Sequence, residues 1–322
     1  MVGFVAIVGL GWGGYVVWQK GVRSEARAEA AFAKGVFPIP FATTRGHVQN
    51  GMLQPGHTAF SYEVVGDMPG MNGAKPARDI MIVVHGLNND ETKAVNRFGL
   101  ARESLQHDGY SGMVVGFSWD GSTNWDPFGA TGYREAKHNA FANGPKLARF
   151  VEDLHKANPG AAIRLLGYSM GARLVAESIL ALDKLNVPFK VTSVHLVGAA
   201  IDDEQLQTNE MYGKAIERHV GEFYNYFSPE DSKLGKYYPP MEADRAVGRH
   251  DLEEPEFAPA NYHFRNVAVE LKEVDAKGDV DPNAAPGRNH SAYLGIRTDA
   301  GKWVDDGAMN VVAEDVLKRP GH

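Results

Sequence analysis

Cysteine is absent from this chain. That removes disulfides, thiolate catalysis and cysteine-ligated zinc, so any nucleophile has to be an oxygen or a nitrogen, in a reducing or an oxidising compartment alike. A basic excess is missing as well. The 33 Lys and Arg residues against 40 Asp and Glu give a net charge of −7 and a pI of about 5.9. Without a dense Lys/Arg run there is nothing to hold a phosphate backbone, and nucleic acid is not an expected partner. Internal repeats and low-complexity linkers are lacking too. With 43% hydrophobic residues over 322 positions, a large folded core is expected rather than disorder.

Charge is also missing, locally, from Val2 to Trp18, "VGFVAIVGLGWGGYVVW". Gly9, Gly11 and Gly14 spell G-x-G-x-x-G there, the dinucleotide-binding fingerprint. That fingerprint requires a βαβ unit, and no acidic residue ends a second apolar strand downstream to hold a ribose. A run of this length lies at the short end of what spans a bilayer, and Gly9 and Gly13 form the G-x-x-x-G that lets membrane helices approach closely. We therefore expect residues 1–30 to be an apolar leader that anchors the chain in a membrane through residues 2–18. A cleaved signal peptide fits less well, because no Lys or Arg precedes the run. Lys20, Arg23 and Arg27 follow it, which points the domain toward the cytoplasm, but Glu25 and Glu29 dilute the pattern and leave sidedness open.

Residues 31–322 alternate short apolar runs with stretches of helical period. That is the pattern of an α/β fold, a mostly parallel sheet with helices on both faces. "VFPIPFATTR", "TAFSYEVVG", "DIMIVVHGL", "GMVVGFSWD", "AAIRLLGYS", "VTSVHLVGAA", "GEFYNYFS" and "NVAVELKEV" read as strands. Helices are expected near Thr92–His107, over Tyr133–Ala157, in "MGARLVAESILALDKL" and in the closing "MNVVAEDVLK". The stretch 234–264 reads as an insertion that could form a lid.

Gly167, Tyr168, Ser169, Met170 and Gly171 spell G-x-S-x-G. Alone the motif is weak, but here it joins an apolar strand to an amphipathic helix, where a sharp turn lifts the serine hydroxyl above the sheet edge. A serine hydroxyl is a poor nucleophile at neutral pH, so it requires a base within hydrogen-bond reach and an acid to orient that base. The expected chain order is serine, acid, histidine. His290 in "GRNHSAYLG" lies beyond the last expected strand and is the candidate base, whereas His250 and His263 precede that strand. Two places compete for the acid. Asp231 follows "GEFYNYF", and Asp202 and Asp203 follow "VTSVHLV"; each could equally be a helix cap. Position after the penultimate strand favours Asp231. The oxyanion requires fixed donors. The amide of Met170 is one, and the amide of Leu87, or that of Asn88, in the turn after "IMIVVHG" is the other.

On these residues the chain resembles the α/β-hydrolase superfamily, and within it a little-characterised bacterial group of predicted esterase/lipase-like enzymes. The resemblance rests on "PFATTR", "VVHGLNND", "GFSWDG", "LLGYSMGARL", "FYNYFSPEDSKL" and "NHSAYLG", spread from Pro40 to Leu294. It implies an α/β-hydrolase fold and a Ser169, Asp231, His290 triad, which adds to the case for Asp231. On the substrate side, Trp119 and Trp125 of "SWDGSTNWDPFG" are candidates to touch ligand, and packing is the competing role. "DVDPN" at 279–283 alternates oxygen ligands but lacks the glycine and distant glutamate of a calcium loop, so a turn is expected. The resulting expectation is a serine hydrolase acting on a small-molecule acyl ester, with no metal and no cofactor. The alternative is a silent hydrolase fold serving as an interaction module.

Overall fold

The computed structural model describes residues 39–122, 130–275, 279–281, 284–298 and 301–318. The leader expected at residues 2–18 lies outside the described residues, as does Trp125. No helix among the described residues is long and apolar enough to cross a membrane.

"DIMIVV" forms strand β5 (Asp79–Val84), following β1 (Phe41–Thr43), the short pair β2 (Val48–Gln49) and β3 (Met52–Leu53), and β4 (Glu63–Val65). Ile80 through Val84 are all fully buried. Consecutive rather than alternating burial means that the strand is covered on both faces, as in a parallel sheet wrapped by helices. The chain continues as α1 (Glu91–His107), β6 (Met113–Ser118), α2 (Ala130–Ala157), β7 (Ala162–Tyr168), α3 (Met170–Lys184) and β8 (Val191–Val197). Next come α4 (Gly213–His219), β9 (Val220–Phe227), α5 (Ser232–Glu242), β10 (Tyr262–Asn266), the hairpin β11 (Ile296–Arg297) and β12 (Trp303–Asp305), and α6 (Met309–Leu317). The main sheet has eight strands in the order β10-β9-β8-β7-β5-β6-β1-β4, parallel throughout except that β4 runs against β1. Helix α1 packs with α6, while α3 packs with α2 and α4.

This strand order fixes where a ligand can go. From β5 the chain moves to β6 on one side and then returns to β7 on the other, so the connections leaving β5 and β7 diverge and open a crevice at their carboxyl ends. The turn after β5 and Ser169 after β7 meet there.

Three expected strands differ in the structure. The described part of "VFPIPFATTR", from Ile39 on, contributes Phe41–Thr43, which starts after Pro40, a residue with no amide proton for the ladder. "TAFSYEVVG" contributes only Glu63–Val65. "NVAVELKEV" is no strand; its centre is a 3-10 turn at Ala268–Glu270, and the sheet's last strand is the preceding "YHFRN". An edge strand pairs on one side only and carries no apolar run to announce itself, whereas Val267 and Leu271 are apolar because they plug the core as single residues. His263 is accordingly in the last strand, bonded to Glu222, rather than before it. Within 234–264, Val247 and Gly248 donate to Ile201 and Ala199, which ties this stretch to the chain leaving β8.

Candidate active site

Ser169 follows β7 with φ +56° and ψ −123°, a conformation that a side-chain-bearing residue rarely adopts and holds only when its surroundings enforce it. Its amide donates to Val197 O (3.1 Å), and its carbonyl accepts from Ala172 N (3.0 Å) and Ala200 N (3.2 Å). The flanking glycines let the turn sit against β5. A Cβ on Gly171 would lie 2.4 Å from His85 O, and one on Gly86 would lie 2.8 Å from Ser169 Cβ. The hydroxyl stands at the amino end of α3, where the helix dipole favours negative charge.

His290 Nε2 lies 2.9 Å from Ser169 Oγ, and His290 Nδ1 lies 2.6 Å from Asp231 Oδ2. Because an ionised carboxylate only accepts, Nδ1 carries the proton and Nε2 presents its lone pair to the serine hydroxyl. His290 is placed by its neighbours. Its carbonyl accepts from Tyr168 Oη (3.0 Å), Asn289 Oδ1 accepts from Ser291 N (3.1 Å), and the fully buried Tyr293 ring stands edge-on to the imidazole.

Asp231 is fully buried and does two things at once. Its Oδ1 caps α5 by accepting from Lys233 N (3.0 Å) and Leu234 N (2.9 Å), which leaves Oδ2 for His290. The cap and the histidine partner, which the sequence set against each other, are two oxygens of one carboxylate. Ser232 donates its amide and its hydroxyl to Arg288 O, joining this helix start to the loop that carries His290.

The competing acids point elsewhere. Asp202 takes the hydroxyl of Tyr238 (2.6 Å) and the amide of Gln205, and it lies 3.7 Å from the fully buried guanidinium of Arg173. Asp203 pairs with Arg245 (2.9 Å), and burial pushes its carboxyl up to about 6. Neither bonds His290.

In the turn after β5, Asn88 N is spent on Gly121 O (2.7 Å), so it is not a free donor. The amides of Leu87 and Met170 have no acceptor among the described residues. The carbonyls of Gly86 and Leu87 are both held by Asn89 Nδ2 (3.0 and 2.9 Å), which fixes the turn's orientation. His85 is structural: Nδ1 donates to Gly86 O, and Nε2 accepts from Trp119 N and from Arg45. Complete burial and the nearby Arg45 and Arg97 charges drive its pKa well down. Trp119, expected to touch ligand, is fully enclosed, stacked on His85 and bonded to its carbonyl (2.9 Å). It braces the turn, because a side chain with no exposed surface has none to offer a ligand.

Sequence reasoning gave no role to Arg45 or Asn89. Their only signal was a charged or amide side chain in the loops that follow β1 and β5; Arg45 also donates to Ser118 Oγ (2.7 Å) and Asn89 O (2.9 Å). Three side-chain groups among the described residues bring possible metal donors within 4.8 Å of one another: His47 with His57 and Glu63, His107 with Asp108 and Asp306, and Asp203 with Glu204 and Glu253. None includes Ser169, Asp231 or His290. Of the "DVDPN" stretch, where a turn was expected, residues 279–281 are described: Val280 bridges Val274, and Asp281 N donates to Glu273 O (2.9 Å).

Among solved structures, the chain is similar to a cutinase-like protein from Cryptococcus sp., at 14% identity and a TM-score of 0.33 over 73% of this chain and 91% of that one. An α/β serine hydrolase without lid from Xanthomonas campestris aligns at 14% identity and a TM-score of 0.36, covering 62% and 75% of the two chains. A lipase-esterase related protein from Clostridium acetobutylicum aligns at 12% and 0.36, covering 74% and 93%. No curated protein matches in sequence. A family profile does, over residues 71–276, from the strand β5 through the serine turn to the residues beyond Asp231, and by that match the chain belongs to the α/β-hydrolase family of unknown function DUF900.

Proposed function

We propose that this protein is a serine hydrolase that cleaves a carboxylic ester, or a related acyl bond, of a small molecule through an acyl-serine intermediate. One observation carries the reading. Ser169, in a strained turn at a helix amino end, shares an unbroken hydrogen-bond chain with His290 and the buried Asp231.

In the first half-reaction Ser169 Oγ attacks the acyl carbon while its proton passes to His290 Nε2, and Asp231 stabilises the imidazolium. The carbonyl oxygen gains the negative charge, and the amides of Met170 and Leu87 are the donors placed to meet it. Collapse of the tetrahedral species expels the alcohol, which leaves with the proton from His290. Water then repeats the sequence on the acyl-serine, releasing the acid and restoring the hydroxyl. The uncharged run at residues 2–18 supports a membrane-anchored location for this activity.

A fluorophosphonate probe tests the reading, because it reacts only with an activated serine. Peptide mapping should find the adduct at Ser169, and Ser169→Ala should abolish it. A folded protein that stays unlabelled, or carries the label at another serine, refutes the proposal and leaves a silent hydrolase fold.

A further inference from the structure

Two cations converge on the residue that follows His290. Arg97 Nη1 donates to the Ser291 carbonyl (3.2 Å), and Lys233 Nζ donates to Ser291 Oγ (3.2 Å). Arg97 reaches from α1 and lies over the ring of Tyr168, the residue before Ser169, 5.7 Å from its centroid. Lys233 comes from the first turn of α5, two residues after Asp231. The pair therefore meets, from two different helices, on the residue next to His290, and Arg97 also lies over the residue before Ser169.

Neither cation has a carboxylate partner among the described residues. Elsewhere the chain pairs its cations closely, as in Arg164 with Asp79, Arg218 with Asp183, Arg265 with Asp315 and Lys272 with Asp305. Asp231 and Glu273 attract Lys233 electrostatically without forming an ion pair with it, and the hydrogen bonds of Asp231 go to His290 and two amides. Lys233 as a residue is exposed, but its ammonium is held below the usual lysine range, first by desolvation and then by repulsion from Arg97. A guanidinium carries five N–H bonds and an ammonium three, and among the described residues each group makes one hydrogen bond, both to Ser291, which leaves most of their donors without a partner there.

We propose that Arg97 and Lys233 recognise an anionic group on the substrate, so that the preferred ester carries a negative charge on its acyl or its alcohol part. This inference rests on the hydrolase reading of Ser169. A net charge of −7 makes the molecule as a whole repel anions. That long-range field is screened beyond about 8 Å at physiological salt, so a local pair of cations can dominate at the site.

Matched esters test it on both sides of the bond. The acyl arm compares 4-nitrophenyl hemisuccinate with 4-nitrophenyl butyrate, and the alcohol arm compares 4-acetoxybenzoate with phenyl acetate. In at least one arm the anionic ester should lead in kcat/KM by about tenfold or more, the loss typical of one hydrogen bond to a charged group. Arg97→Gln and the surface change Lys233→Gln should each cut the anionic-to-neutral ratio in that arm by about tenfold, and Lys233→Glu should cut it further. Raising salt should shrink the ratio. Wild type that turns over neutral esters as well as or better than anionic ones in both arms, or hydrolyses none while still labelled at Ser169, overturns the anion proposal alone. Absence of labelling overturns the hydrolase reading beneath it.

Discussion

Replacing Asp231 by Asn and by Ala separates the two tasks of one carboxylate. Asn keeps an oxygen for the amides of Lys233 and Leu234, so the cap of α5 survives. Its NH2 group then faces His290 Nδ1, where the carboxylate oxygen had been 2.6 Å away. A donor in that place forces Nδ1 to accept, which moves the ring proton to Nε2 and leaves no lone pair for the Ser169 hydroxyl. In well-studied serine proteases the same change lowers kcat by about 10⁴, and a loss of that order is expected here. Ala removes the cap as well, at a further cost of about 1 kcal/mol in stability. The two variants should thus be similarly inactive in ester hydrolysis, with Asp231→Ala melting at lower urea concentration than Asp231→Asn. Asp202→Asn and Asp203→Asn are the controls and should stay within about tenfold of wild type, roughly 1.4 kcal/mol of barrier. Asp231→Asn retaining activity within tenfold, or Asp202→Asn losing it while folded, would refute the assignment.

Gly171→Ala places a methyl 2.4 Å from His85 O and 2.5 Å from Val84 O, both backbone atoms that cannot swing away. It should cost about 1 to 3 kcal/mol in urea unfolding and displace the serine turn from the turn after β5, visible as slower fluorophosphonate labelling. Asp203, with its carboxyl raised to about 6 by burial, binds more protons folded than unfolded between about pH 4 and 6. Its contribution to stability therefore falls as pH rises through that window, so Asp203→Asn should gain on wild type from pH 4 to pH 7 in parallel urea melts; a constant difference would contradict this. Full-length protein should stay with membranes through alkaline carbonate washing, and a chain starting near Ala33 should not; equal release of both rules out the anchor.

The sequence by itself determined what local rules can carry. The consecutive apolar residues of "DIMIVV" and "AIRLLGY" mark strands buried on both faces, and the glycines around Ser169 mark a turn packed too closely for side chains, so the α/β fold and the position of the serine turn were legible. Edge elements were not. "YHFRN" pairs on one side and needs no apolar run, and Trp119 looked like a ligand-facing aromatic because burial behind His85 leaves no trace in composition. Asp202, Asp203 and Asp231 are alike in sequence, each an acid after a strand. Chain position and the family resemblance favoured Asp231, but only the tertiary structure supplied the partners, giving Asp202 to Tyr238 and Gln205 beside the buried Arg173, Asp203 to Arg245, and Asp231 to His290. It also brought Arg97 and Lys233 together on Ser291 from helices more than a hundred residues apart in the chain. Partners that far apart are chosen by the packing of the sheet and its helices, which no local pattern encodes.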